Sequence, residues 1–140
     1  METITFLLAV VGYAGLAATA VLVARGPLPL PLWRATAIVI TTHVALIWMF
    51  RYQWRLSEAT RDGYVGFLVF HGALTLTVAS LFVRERTART LVHVTFGIIT
   101  LGALGAVFRY DVVAPYRPVV IAVAALGVAG IARAWLFHAK

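Results

Sequence analysis

Five apolar runs, each close in length to a membrane-spanning helix, constrain the fold of this chain more than any other feature. A helix that crosses the hydrocarbon core of a bilayer needs about 20 predominantly apolar residues. The runs lie near Ile4–Ala24, Trp33–Phe50, Tyr64–Val83, Thr90–Phe108 and Val119–Leu136. The sequence therefore predicts an all-α fold, in which residues 1–140 form one integral membrane domain of five transmembrane helices.

The composition argues against a soluble fold of this size. Hydrophobic residues make up 62% of the 140 residues, and charged residues make up only 12%. A soluble domain of this length has too small a core to hide that much apolar surface from water. The expected partner is a lipid bilayer, and the expected location is the cell membrane, as a multi-pass protein of a prokaryotic plasma membrane.

Basic residues mark the ends of the apolar runs, and their distribution predicts an orientation. With five spans, one side of the membrane receives seven basic residues and the other receives five. The seven are Arg25, Arg34, Arg84, Arg86, Arg89, Arg133 and Lys140. The positive-inside rule places this side in the cytoplasm, with the N-terminus outside and the C-terminus inside. Because the basic residues form no stripe with interleaved aromatics, we expect no nucleic-acid partner despite the net charge of +7.

Two connections between the runs carry local signals. In residues 25–34 (RGPLPLPLWR) proline alternates with leucine, and because proline lacks an N–H we expect an extended, polyproline-like path. In residues 52–64 (YQWRLSEATRDGY) we expect Ser57 or Thr60 to cap a short helix at the membrane interface. The Asp62-Gly63 pair that follows is typical of a turn.

Three of the four histidines lie inside the apolar runs, where an ionisable side chain needs a partner or a task. Measured from the predicted inner ends of their spans, His43 lies about 15 Å deep and His71 about 20 Å deep. His93 lies only about 6 Å from Arg89 at the same rise per residue. We therefore expect His43 and His71 at nearly the same level, on helices that are adjacent in sequence.

Two facing imidazoles near the middle of a membrane are the ligand set of a six-coordinate b-type haem. We expect His43 and His71 to be the metal ligands, with His93 as a substitute for either. Since two strong axial ligands leave no open coordination position, such a haem carries electrons and the chain has no expected catalytic activity of its own.

Other side chains are expected to surround the haem. Tyr64 and Thr75 share a helix face with His71 and would contact the porphyrin edge. Arg51, Arg61 or Arg109, at the outer end of the bundle, would bind the propionates. The chain contains no cysteine, which excludes a thiolate haem ligand and cysteine-based zinc sites.

Each histidine also has a simpler explanation. An intramembrane histidine can hydrogen-bond a hydroxyl or carbonyl of a neighbouring helix, at a stabilisation of about 0.6 kcal/mol. Hydroxyl partners are available at Thr41, Thr42, Thr75, Thr77, Thr95 and Thr100. The alternative function is then a cofactor-free accessory subunit that packs against a larger membrane complex. Glycines spaced along the first, fourth and fifth runs would support such packing.

Three segments in the middle of the chain share a pattern with a known family. They are ITTHVALIWMFRYQW (40–54), FLVFHGALTLTVASLFVRER (67–86) and HVTFGIITLGALGAVFRY (93–110). Residues 34–110 thereby resemble small multi-span membrane proteins associated with the maturation of haem–copper terminal oxidases (CtaM-like proteins). The chain departs from that pattern where Gly97 and Ile98 replace an expected Pro-x-Trp.

The resemblance implies a functional histidine at His71 and a role in respiratory-chain biology. Together with the predicted haem ligands, it gives the leading functional hypothesis. The chain would be a membrane b-type haem protein that carries electrons or handles haem. Its expected partners are other membrane subunits of a respiratory or photosynthetic complex.

Overall fold

A computed structural model describes residues 2–61 and 63–138, and all regular secondary structure in this part of the chain is helical. A 3-10 helix, Asp111–Tyr116, leads directly into the last α-helix. The α-helices are α1 (Glu2–Arg25), α2 (Leu30–Phe50), α3 (Leu56–Ala59), α4 (Tyr64–Ser80), α5 (Glu85–Arg109) and α6 (Arg117–His138). The predicted all-α fold is confirmed.

Four helical segments are long and apolar enough to cross a bilayer. They are Thr3–Arg25, Leu30–Phe50, Glu85–Arg109 and Asp111–Phe137, which correspond to the first, second, fourth and fifth predicted runs. The third run forms α4, an apolar helix of 17 residues. At 1.5 Å per residue this helix is about 26 Å long, slightly shorter than the hydrocarbon core.

The start of α2 differs from the prediction. The helix begins at Leu30, three residues before the predicted Trp33, and Pro31 lies in its first turn. A proline is tolerated there because the first N–H groups of a helix have no carbonyl partner within the helix. The expected extended path through residues 25–34 is therefore wrong from Leu30 onward, and only residues 26–29 are non-helical.

The helices on either side of the α4–α5 connection also end differently from the predicted runs. Helix α4 ends at Ser80 rather than at Val83, and α5 begins at Glu85 rather than at Thr90. The predicted start at Thr90 marked the first apolar residues, whereas the helix α5 already includes the charged residues before them. Glu85 lies in the first turn of α5, where the helix dipole favours a negative charge.

The short helix predicted in the polar connection is present as α3, but its capping differs. Arg55 occupies the N-cap position without a side-chain hydrogen bond, and Ser57 lies inside the helix. The Thr60 hydroxyl donates back to the carbonyl of Leu56, 2.9 Å away. Asp62 lies outside the described residues. Gly63 has a φ of 109°, a conformation that favours glycine.

Helix α1 lies at the centre of the packing, with α2, α5 and α6 against it, while α4 packs along α5 and touches α2 only lightly. Glycines allow the closest approaches. A Cβ atom at Gly15 would lie 2.5 Å from the Thr36 hydroxyl oxygen of α2. A Cβ at Gly127 of α6 would overlap the Phe96 ring of α5. Small residues at such positions let membrane helices make close van der Waals contact.

Polar side chains add cross-helix hydrogen bonds to this packing. The buried Trp33 indole of α2 donates to the hydroxyl of Ser80 in α4 over 2.9 Å. The hydroxyls of Tyr13 in α1 and Thr100 in α5 also lie 2.9 Å apart. Successive helices run in opposite directions, so Arg25 at the end of α1 and Leu30 at the start of α2 lie at the same end of the bundle as Ser80 of α4 and Glu85 of α5. Because Arg84, Arg86 and Arg89 also lie there, we call this the basic end of the bundle.

Candidate functional site

His71 lies in a cluster of aromatic side chains contributed by α2 and α4. The indole N–H of Trp48 donates to Nε2 of His71 over 2.9 Å. The other ring nitrogen, Nδ1, lies 2.8 Å from the carbonyl oxygen of Phe67 and therefore carries the proton. The Phe67 ring stacks on the imidazole with the ring centroids 4.0 Å apart. Both nitrogens of His71 are thus engaged, and the imidazole is the neutral Nδ1–H tautomer.

Trp48 is the centre of this cluster. Its ring is edge-on to His71 and to Tyr52, with centroid distances of 5.7 and 5.8 Å. Trp54 stacks against it at 5.9 Å. Trp54 has a positive φ of 59°, and so does Gln53, at 49°. The left-handed conformation of these two residues turns the chain back after α2 and brings Trp54 over Trp48.

His43 points to a different helix. Its Nδ1 lies 2.8 Å from the carbonyl oxygen of Thr5 in α1, so that this nitrogen donates to the backbone. The side chain is half-buried between α1 and α2. The hydrogen bond joins the start of α1 to the second half of α2.

His93 makes a third bond of the same kind. Its Nε2 lies 3.0 Å from the carbonyl oxygen of Ala20 in α1, so Nε2 carries a proton and donates to that carbonyl. The Trp135 ring of α6 lies 6.3 Å from the imidazole, centroid to centroid. His93 therefore links α5 to α1 beside α6.

The three histidines do not converge on one point. His43 and His93 bind carbonyls of α1 that are fifteen residues apart, about 22 Å along the helix axis. Trp48, which reaches His71, follows His43 by five residues, which is a rotation of about 140° around α2. His43 is thereby directed at α1 and Trp48 at α4, so His43 does not face His71.

This geometry does not fit a haem held by His43 and His71. Iron ligation through Nε2 of His71 would displace the Trp48 indole, and ligation through Nδ1 would displace the Phe67 carbonyl. The prediction that His43 and His71 face each other used only their depth along the helices. In the structure, the His43 side chain is directed at α1 and not at His71. The haem stays a prediction that requires a rearranged α2–α4 interface.

The other residues expected at a haem are spread around the outside of the bundle. Arg51 follows the last residue of α2 and is exposed. Tyr64, the first residue of α4, is 68% exposed. The Thr75 hydroxyl donates to the carbonyl of His71 over 2.9 Å and is also exposed. Within the described chain, no three His, Asp or Glu side chains come together to hold a metal ion.

His43 and His93 bond to backbone carbonyls of the neighbouring helix α1, one of the two kinds of partner expected from the sequence. His71 bonds instead to the carbonyl of Phe67 in its own helix and to the Trp48 indole. Trp48 is a member of the aromatic cluster that was not among the residues expected at the site from the sequence. Its signal was present, because an indole N–H is a donor that needs an acceptor when the ring is half-buried.

A groove of about 600 Å³ runs between α4 and α5 on the outside of the bundle. The residues lining it are Leu68, Val69, Gly72, Thr75, Leu76 and Ile98. A Cβ atom added at Gly72 would meet no atom within 4 Å, in contrast to Gly127 in the core. Gly72 therefore leaves room for a second surface to approach α4.

Comparison of the chain with protein-family models, curated proteins and solved structures finds no match. The resemblance of residues 34–110 to CtaM-like proteins accordingly stays a prediction.

The hydrogen bonds place a proton on one ring nitrogen of each of the three histidines in the long apolar helices, which gives a direct spectroscopic test. In the purified chain, we expect His43 and His71 to be Nδ1–H and His93 to be Nε2–H. Imidazole ¹⁵N and ¹³C shifts of histidine-labelled protein distinguish the two tautomers. Replacing Trp48→Phe should change the His71 signals and leave those of His93 in place. An Nε2–H signal for His71 in the unsubstituted chain would contradict the Trp48 contact.

Proposed function

We propose that this chain is a cofactor-free accessory subunit of a larger membrane complex. The observation that carries the proposal is that each intramembrane histidine is hydrogen-bonded within the chain, and His71 through both ring nitrogens. An ionisable group in a membrane needs a partner or a task, and the bonds to carbonyls and to Trp48 supply the partners. The histidines then stabilise the bundle as helix–helix links.

In this proposal, α4 is a fifth span, the N-terminus lies outside and the C-terminus inside. The seven basic residues near one side of the membrane, against five near the other, support this orientation. An apolar helix of 17 residues crosses by local thinning of the bilayer at a modest cost.

Labelling of single cysteines tests both the orientation and the fifth span, since the natural chain has no cysteine. Ser57→Cys and Thr87→Cys place exposed thiols before and after α4. In intact cells, we expect an impermeant maleimide to modify Ser57→Cys at once, and Thr87→Cys only after permeabilisation. Labelling of both from the same side would show that α4 does not cross.

The surface available to a larger complex includes the groove between α4 and α5. Gly72 is exposed there with open space above it, and the other lining residues are apolar apart from Thr75. A small residue on an exposed helix face permits close contact with a transmembrane helix of a partner subunit. We therefore assign the groove to a partner helix in the proposed complex.

Extraction from native membranes in a mild detergent tests the proposed role. We expect the chain to migrate in a discrete assembly well above its own mass of 15.2 kDa. Gly72→Leu should release it from that assembly, because the larger side chain fills the groove. Gly26→Leu is the matched control, since Gly26 also has open space around it but lies in the α1–α2 connection.

An absorbance spectrum of the purified chain separates this proposal from the haem hypothesis. The reduced-minus-oxidised difference spectrum should be flat in folded protein. A Soret peak stoichiometric with the chain and lost in His71→Ala would overturn the cofactor-free assignment. Migration as a free chain, unchanged by Gly72→Leu, would overturn the subunit assignment.

A further inference from the structure

A second cavity lies at the basic end of the bundle, away from the aromatic cluster. It has a volume of about 300 Å³ and is lined by Arg86, Arg89, Thr90 and His93 of α5. Arg86 and Arg89 are three residues apart, a spacing that places two side chains on the same face of a helix. Arg86 lies in the first turn of α5, where the unpaired N–H groups give the helix end a partial positive charge, and Arg89 follows one turn later.

The two guanidinium groups have no carboxylate partner among the described residues, where the one ion pair joins Arg61 to Glu58. Glu85, the acid nearest in sequence, accepts a hydrogen bond from the backbone N–H of Leu28, 3.0 Å away. Arg89 is half-buried and donates from one nitrogen to the carbonyl of Val23, over 3.0 Å. The cavity therefore holds two like charges without a neutralising group, which a bound anion would supply.

We propose that this cavity binds the phosphate of an anionic phospholipid headgroup. Arg86 and the remaining N–H groups of Arg89 would donate to the phosphate oxygens. The hydroxyl of Thr90 already donates to the carbonyl of Arg86, over 3.3 Å, so the two arginines carry the recognition. His93 forms the inner wall, held by its bond to the Ala20 carbonyl.

The surroundings of the cavity favour a lipid over a soluble phosphate. The Trp135 ring lies 6.3 Å from the His93 ring and is 62% exposed. Tryptophan is enriched at the headgroup level of membranes, where its ring meets both the apolar and the polar layers. Basic side chains close to the membrane surface attract anionic lipid headgroups. The site shares His93 with the hydrogen bonds that support the proposed subunit role, but it uses neither the aromatic cluster around His71 nor the α4–α5 groove.

Native mass spectrometry of the purified full-length chain in a neutral detergent tests the site. Dioleoyl phosphatidylglycerol and dioleoyl phosphatidylcholine are titrated separately, and inorganic phosphate is added as a competitor. We expect one saturable phosphatidylglycerol and no comparable binding of phosphatidylcholine. Arg86→Gln and Arg89→Gln should each weaken binding by about tenfold, the effect of losing one charge-assisted contact.

Arg34→Gln is the matched control, because Arg34 is an exposed arginine at the same end of the bundle that does not line the cavity. Arg86 is exposed, so Arg86→Gln carries the test even where Arg89→Gln fails to fold. Equal binding of the two lipids, or equal weakening by Arg34→Gln, would overturn the proposal. Binding of inorganic phosphate as tightly as the lipid would assign the cavity to a soluble anion instead.

Discussion

Replacing Trp33→Ala should destabilise the bundle by about 3–5 kcal/mol, the range for removing a large aromatic side chain from a core. Trp33 has no exposed surface, and its indole N–H donates to the hydroxyl of Ser80. That hydroxyl donates in turn to the carbonyl of Thr77, 2.6 Å away, so the indole belongs to a chain of hydrogen bonds. Because α2 and α4 touch only lightly, Trp33→Ala should remove one of the few contacts that hold these two helices together.

Equilibrium unfolding of the purified chain in mixed micelles measures this loss. Trp33→Phe separates its two causes, since it keeps most of the ring and removes the N–H donor; we expect it to cost about 1 kcal/mol. Trp135→Ala is the matched control, because that indole is 62% exposed and its removal leaves no internal cavity. Equal effects of Trp33→Ala and Trp135→Ala would show that Trp33 is not a core residue.

The all-α fold class could be predicted from the sequence because a bilayer leaves long apolar segments few alternatives to a helix. Runs of about 20 apolar residues have few stable forms in lipid other than a helix, since every backbone N–H and C=O must be paired within the segment. Four of the five predicted runs contain helices long enough to cross a membrane. The error at Leu30 arose because a proline was taken as a barrier to helix, although it is compatible with the first turn.

The arrangement of the histidines could not be read from the sequence. Depth along a helix follows from residue number, but direction depends on which helices are neighbours. His43 turns to α1 because α2 packs along α1, and His71 meets Trp48 because α4 lies on the other side of α2. Backbone carbonyls accept both of the bonds that His43 and His93 make between helices, and a carbonyl is present at every residue. The sequence indicated that the histidines and the indole N–H groups need partners, but it could not show which carbonyl or ring nitrogen supplies each one.

Replacing Gly127→Leu should destabilise the bundle by about 3 kcal/mol, the upper range for overpacking a core. A Cβ atom at this position would overlap the Phe96 ring and lie 3.3 Å from Ala17, so α6 would have to move away from both α5 and α1. Phe96 is 4% exposed, and its ring stacks on that of Tyr13 with the centroids 6.2 Å apart, which limits how far the ring can turn away. Gly97→Leu is the matched control, because Gly97 is exposed on α5 and a Cβ atom added there would meet no atom within 4 Å. Unfolding in mixed micelles should separate the two variants clearly; equal stability would mean that α6 does not pack on α1 through Gly127.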